Sequence, residues 1–455
     1  MKSTKRTAFA AALAIAACLA AAAAERKALT VEDAVSLAVA HSLGLDAARA
    51  RTDEAAARTR EVAAARLPAL RFSGGYTRLS EVPPFEISLP FLSSLPFPVA
   101  SKFVVSPVYF NNYTVRLSVQ QPVFTGFRLK KAAEASRLAE QASTQDGLKD
   151  KADVEAGART AYWTAFRASE MLAVASENRS RLEAHLKNVS NLLAQGLATR
   201  NDVLKVQAQL AGADLLLVEG KTGVQSSQVF LASLLGLPLI TEFDLRTGVC
   251  DIALGVGDGI EGGTTLDELM ARALAGRPEL KAMGLRVQAA EASVAMARAG
   301  LLPQVFVGGN YHLLRPNPRL LPTEDKFYGT WDLGLTVSYD LWNGNQTGLQ
   351  TKQAEAQRTQ ARDALGILNE QIALEVTQAW LAVRQARERI TAADAAAAQA
   401  EENFRVTGDR FKDGVALSSD VLDAELFVLQ AKTSRTQALI DLELARTRLR
   451  RATAA

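Results

Sequence analysis

Cysteine and histidine are nearly missing from this chain of 455 residues, which holds two of the first and three of the second. Cys18 falls in the leader described below, so Cys250 has no partner for an internal disulfide, and no Cys/His spacing resembles a metal site. His41, His185 and His312 stand far apart, and each is expected as a surface or strand residue. Catalytic signatures are lacking as well. There is no G-x-S-x-G, no HExxH and no acid–base pair in a glycine-framed loop, which argues against a secreted or periplasmic hydrolase. A net charge of +3 with no basic stripe interleaved with aromatics leaves no case for nucleic acid. Beyond the leader no run of about 18 uncharged apolar residues exists, so no transmembrane helix is available. The expectation is a protein that is not an enzyme and carries no cofactor or metal.

What is present begins with an address. Lys2, Lys5 and Arg6 form a positive n-region, Ala8 to Ala17 an apolar core, and Ala22-Ala23-Ala24 a cleavage site before Glu25. Residues 1–24 therefore read as a secretory signal peptide. Ile15-Ala16-Ala17-Cys18 also passes as a loose lipoprotein box, after which Cys18 would be acylated.

The stretch that organises the rest runs from Tyr113 to Leu235. It opens with period-two sequence, in which Val115, Leu117 and Val119 point one way and Thr114, Arg116, Ser118 and Gln120 the other. After Thr125-Gly126 the period becomes helical, and from Arg128 to Gln195 there is no proline. A helix of that length would be about 100 Å long. Gly196 breaks the run, and Val203, Val206, Leu210, Ala213 and Leu217 then resume with coiled-coil spacing.

The same plan is written twice. Thr30-Val-Glu-Asp33 and Thr265-Leu-Asp-Glu268 each begin a helix, and each half's later helix stops at a Leu-Pro pair, Leu67-Pro68 and Leu302-Pro303. The first repeat covers 25–236, with strands at about 69–80 and 112–124 and a helical hairpin over 128–235. The second covers 264–455, with strands at about 304–314 and 329–342 and a hairpin over 346–452. A Gly-rich joint, 237–263, links them. A Pro/Phe-rich loop, Glu81 to Phe110, separates the strands of the first half, and Arg315 to Phe327 is its shorter counterpart.

Strands of about ten residues suit a tilted barrel in a bilayer, and four cannot close one. Edges open to lipid cost several kcal/mol per unpaired group, so at least two chains, and by preference three, would share a barrel. An ordinary half-buried soluble sheet fits any one strand alone. A non-transporting periplasmic coiled-coil scaffold or adaptor explains the helices but not four repeated alternating strands.

The twice-written plan, the Leu-Pro endings at Pro68 and Pro303, and the tips Gln-Gly-Leu-Ala-Thr and Asp-Gly-Val-Ala-Leu, each followed by Asp-Val, resemble the TolC family of outer-membrane efflux proteins. The resemblance implies a mostly α fold with membrane β: a twelve-stranded β-barrel shared by a homotrimer and continued by a coiled-coil α-helical barrel in the periplasm. It implies an inner-membrane pump and a periplasmic adaptor docking at the tips, as in a tripartite efflux pump or type I secretion system. Asp420 and Asp423, spaced i, i+3, match the family's constriction pattern, and Asp202 is the first-half equivalent. Acids there also suit a helix dipole, and Thr199-x-x-Asp202 also suits a capping box. Phe411 and Ala416 replace the aromatic hydroxyl and arginine that tie closed tips in the best-known member, so closure is expected by packing around Phe411 and Leu417. Gly196, Leu197, Ala198, Thr199, Gly414, Val415 and Ala416 resemble adaptor-docking segments, although Gly196 and Gly414 equally suit helix C-caps.

Overall fold

The computed structural model describes residues 27–83, 85–88, 90, 102–106, 108–246, 265–321 and 323–454. The expected signal peptide, Cys18, Cys250 and most of the Gly-rich joint lie outside the described residues.

In chain order the elements are β1 (Lys27–Leu29), α1 (Val31–His41), α2 (Leu43–Ala64), β2 (Ala69–Arg78), β3 (Phe85–Ser88), β4 (Lys102–Ser106), β5 (Asn111–Thr125), α3 (Arg128–Ala194), α4 (Arg200–Leu234), β6 (Phe243–Leu245), α5 (Leu266–Gly276), α6 (Pro278–Arg298), β7 (Gln304–Arg315), β8 (Tyr328–Ser338), α7 (Gln346–Lys412) and α8 (Ser418–Thr453). Both halves open on the same device. Thr30 Oγ1 accepts from the Asp33 amide while the Asp33 carboxylate accepts from the Thr30 amide, at 3.2 and 3.3 Å. Thr265 and Glu268 repeat the exchange at 3.3 and 3.1 Å. Each reciprocal pair satisfies amides that a helix start leaves open.

The described residues form two compact units, each drawing on both halves of the chain. The first lies within Met1–Arg51, Thr144–Ala282 and Gly366–Ala455. Its core packs α1, α3, α4 and α8 through small residues, with Ala34, Ala38, Ala158 and Ala232 all fully buried. Alanine at these places lets helix backbones approach closely, and Tyr162, Trp163 and Phe166 fill the remaining volume edge to face. Tyr162 is wholly buried, and its hydroxyl donates to the Leu29 carbonyl at 3.2 Å. β1 pairs in parallel with β6, which ties the start of the described chain to the segment after α4. Buried Arg277 pairs with Glu375 at 2.7 Å and donates to the Arg451 carbonyl at 3.3 Å, holding the α5–α6 corner on the end of α8.

The second unit, within Thr52–Ser143 and Met283–Leu365, is built on a four-stranded antiparallel sheet of order β2-β5-β7-β8. The central β5–β7 ladder pairs one half of the chain with the other. Two details depart from the sequence expectation. The strand expected to run to Trp342 ends at Ser338, because its partner β7 begins at Gln304, which faces Ser338, and nothing remains beyond it to pair with. Leu341 and Trp342 accordingly stand outside the sheet, each 87% exposed. The long loop from Glu81 to Phe110 also holds a short antiparallel hairpin, β3 with β4.

Candidate functional site

The sheet has two chemically different faces, and its register aligns them across all four strands. Phe72, Leu117, Tyr311 and Trp331 form one cross-strand row, Leu70, Val119, Gly309 and Leu333 the next, and Gln121, Val307 and Leu335 the one after. Among the described residues much of this face stands open: Leu70, Phe72, Trp331, Leu333 and Leu335 are all at least 66% exposed. A contiguous apolar sheet face of this kind needs an apolar surrounding. From the Tyr76–Tyr113–Arg315 row to the Val305–Val337 row the face runs ten residues along β7, roughly 34 Å at 3.4 Å per residue. Tilted by about 45° it would cover roughly 24 Å, close to the height of a membrane barrel's apolar band. Aromatic rings gather at one margin, with Tyr76 and Tyr113 centroids 5.1 Å apart, Tyr113 and Phe327 5.9 Å apart, and the Arg315 guanidinium 5.7 Å over both Tyr113 and Phe327. Rings with a cation at their edge suit a membrane–water boundary.

The opposite face is mostly polar: Arg71, Ser73, Thr114, Arg116, Ser118, Gln120, Asn310, His312, Asp332 and Thr336 alternate with the apolar set, with Phe306, Leu314 and Tyr328 toward its ends. Among the described residues the outer edges of β2 and β8 pair with nothing. The sheet is thus a strip with one greasy face, one wet face and two open edges.

The tips of the long hairpins lie in the first unit. α3 ends in a Schellman turn, with Gly196 at φ +76°, Leu197 N–H on the Leu192 carbonyl at 2.9 Å and Gly196 N–H on that of Leu193 at 3.0 Å. α7 ends identically, with Gly414 at φ +74° and bonds from Val415 to Arg410 and from Gly414 to Phe411 at 2.9 and 3.1 Å. These caps push Leu197 and Val415 into the open, 74% and 67% exposed, while Ala198 and Ala416 are half-buried.

The tip acids have local work. Asp202 closes a full capping box with Thr199, accepting from its amide at 3.0 Å and its hydroxyl at 2.6 Å, and these bonds hold its pKa below the ordinary aspartate value. Asp420 accepts from the Leu417 amide at 3.0 Å, and because leucine offers no acceptor only this half of a box forms. Asp420 and Asp423 are both exposed on α8. Phe411 packs against the His185 ring, centroids 5.3 Å apart, whereas Leu417 stays 70% exposed and does not join it. Its place at the N-cap of α8 turns Leu417 outward in the single chain.

Two tip-side residues escaped sequence reasoning. His185, expected at a surface, is 6% exposed and bonds Ser418 at the start of α8 at 3.1 Å, with burial lowering its pKa. Glu425, also on α8, is 2% exposed, neither carboxylate oxygen has a hydrogen-bond partner among the described residues, and burial raises its pKa to about 7. Nothing in the local sequence marks either one: His185 meets Ser418, 233 residues further on, and the charge that acts on Glu425 is Arg181 of α3.

Comparison with known proteins agrees with this geometry. The family model for outer membrane efflux proteins matches residues 34–237 and 269–455. The outer membrane efflux protein BepC of Brucella suis is 22% identical over 333 residues, 73% of this chain and 70% of that protein. The proteases secretion protein PrtF of Dickeya chrysanthemi is likewise 22% identical over 333 residues, 72% of this chain and 70% of that one. The solved structure of the outer membrane protein VceC from Vibrio cholerae superposes with a TM-score of 0.76 at 19% identity, covering 93% of this chain and 96% of that one. The likeness of fold to that solved structure extends over nearly the whole chain. The chain belongs to the outer membrane efflux protein family, whose members are transport channels of the outer membrane and not enzymes.

Proposed function

We propose that three copies of this chain close a twelve-stranded barrel in the outer membrane, prolong it as an α-helical barrel in the periplasm, and serve as the passive exit duct of a tripartite efflux pump or type I secretion system. The observation that carries this reading is the sheet's two edges, unpaired among the described residues, beside an apolar face that is largely exposed. An open edge in hydrocarbon leaves each backbone group unsatisfied at several kcal/mol, so closure by identical neighbours is the stable solution. In this reading 25–236 and 264–455 are the two repeats, 237–263 the joint, and 1–24 an export signal removed from the mature chain. Asp420, Asp423, Asp202 and Phe411 would surround the periplasmic opening. Gly196, Leu197, Ala198, Thr199, Gly414, Val415 and Ala416 would receive the adaptor, behind which the inner-membrane pump stands. The two Schellman-capped tips support this, because small residues and outward apolar side chains let partner helices approach.

Mass measurement of the detergent-purified protein by light scattering, followed by planar-bilayer recording, tests the proposal. A trimer with unitary conductance is expected. A water-soluble monomer that never enters detergent micelles overturns it.

A further inference from the structure

The ionisable groups on the polar face of the four-stranded sheet fall in two adjacent cross-strand rows. Arg71, Ser118, Asn310 and Asp332 make one, and Ser73, Arg116, His312 and Thr330 the other. Every other position on that face of these strands is uncharged. The acid in the belt is already engaged. Asp332 accepts from Asn310 Nδ2 at 2.7 Å and is bonded to His312 Nε2 at 3.0 Å, and the Arg319 guanidinium lies 3.6 Å away. Arg116 Nε donates to His312 Nδ1 at 3.3 Å, a ring nitrogen and not a carboxylate. Among the described residues Arg71 and Arg116 have no carboxylate partner. They sit on neighbouring strands, Arg71 facing Ser118 and Arg116 two residues along, a diagonal pair roughly 7–8 Å apart at the backbone. Beside them lies an open groove of about 380 Å³, bordered by Arg71, Ser118, Asn310 and Asp332 and kept clear by Gly308 and Gly334.

We propose that Arg71 and Arg116 form a cationic belt that binds multivalent anions of the carboxylate or phosphate kind and biases conduction through the sheet toward anions. The inference rests on the reading above that this face lines the bore, where three chains would bring six such guanidiniums to two adjacent rows. Arginine suits the task because its planar fork meets two oxygens of a carboxylate or phosphate at once. Confinement in a narrow bore strengthens the effect, since fixed charge raises the local concentration of counter-ions.

The full-length channel in a planar bilayer tests this by two readouts: the chloride-to-potassium permeability ratio in a KCl gradient, and block of the current by citrate. Arg71→Gln with Arg116→Gln is expected to lower the ratio and to raise the half-blocking citrate concentration by about tenfold or more, the loss of at least one charge-assisted contact. Arg71→Lys with Arg116→Lys, which keeps the charge, is expected to retain most of the selectivity and part of the block. Arg71→Gln alone removes no hydrogen bond of the fold, so it reports even if the double variant fails to assemble. A ratio and a citrate block unchanged from the parent in the Gln variants overturn the belt. A parent protein that forms no channel fails at the earlier step and is distinguished by having no current to compare.

Discussion

Glu425 is the residue least at ease in its place. A carboxylate sealed from water without a partner is costly when charged, and Arg181 is the charge that acts on it. Arg181 is itself committed to Glu177 and lies 5.4 Å over the Phe404 ring, while Lys432 joins Glu177 to Glu401. Because the folded pKa of about 7 lies above the unfolded value, the folded state holds its proton more tightly. The stabilisation is full below about pH 4.5, falls as pH rises, and is gone above about pH 7. Hydrogen exchange of the amides between residues 418 and 428 should therefore show less protection at pH 8 than at pH 5.5 after correction for intrinsic rates. Glu425→Gln should remove that difference and add roughly 1–3 kcal/mol of local stability at pH 8. An unchanged pH dependence in the variant would reject the assignment. At the tip, Asp420→Ala with Asp423→Ala should abolish block of single-channel current by divalent cations, because paired acids repeated about an axis concentrate cations there. Equal block before and after the change would remove these aspartates from the constriction. Asp420 and Asp423 are singled out by the resemblance together with their i, i+3 spacing, whereas His185 and Glu425 carry no such mark, since burial depends on packing that the local sequence does not state.

At the scale of elements the sequence was most legible where one local rule acts without competition. The helix starts at Thr30 and Thr265, the two Leu-Pro stops and the twin glycine tips are each set by residues within one turn of each other, and each is found where expected. Element ends set by a partner were less legible. Tyr339 to Trp342 keeps the alternating, aromatic composition of a strand, yet it has no ladder to join once β7 has begun at Gln304. The β3–β4 hairpin was hidden for the opposite reason, because Pro and Phe in the surrounding loop mask a short pairing. The tips themselves make a prediction. Leu197 and Val415 are exposed and sit just past identical caps, so Leu197→Glu or Val415→Glu should leave trimers intact while abolishing export when the adaptor and pump are present. Native-gel mass together with a substrate efflux assay reads both effects, and normal export in both variants would move the docking surface elsewhere.

For the whole molecule, what matters is that alternation along single strands becomes two continuous surfaces once register is set. The period of two could be read from the chain, but the alignment of Phe72 with Leu117, Tyr311 and Trp331 depends on pairing between halves nearly 200 residues apart. That alignment allows a strict test on one strand. Leu335 and Thr336 are neighbours on β8, one in the apolar rows and the other on the polar face, and both are exposed in the single chain. By exposure alone an arginine would be equally harmless at either. In a lipid-embedded barrel the two differ: arginine at Leu335 enters hydrocarbon one row in from the margin, at a cost below the about 2–4 kcal/mol of the midplane but repeated in every subunit. Arginine at Thr336 enters the watery bore, where it adds charge without that cost. Leu335→Arg should therefore reduce outer-membrane trimer recovery and its resistance to detergent denaturation, whereas Thr336→Arg should leave both near the parent level and shift only ion selectivity. Equal tolerance of the two substitutions would mean that the apolar face does not meet lipid, and the closed barrel would fall with it.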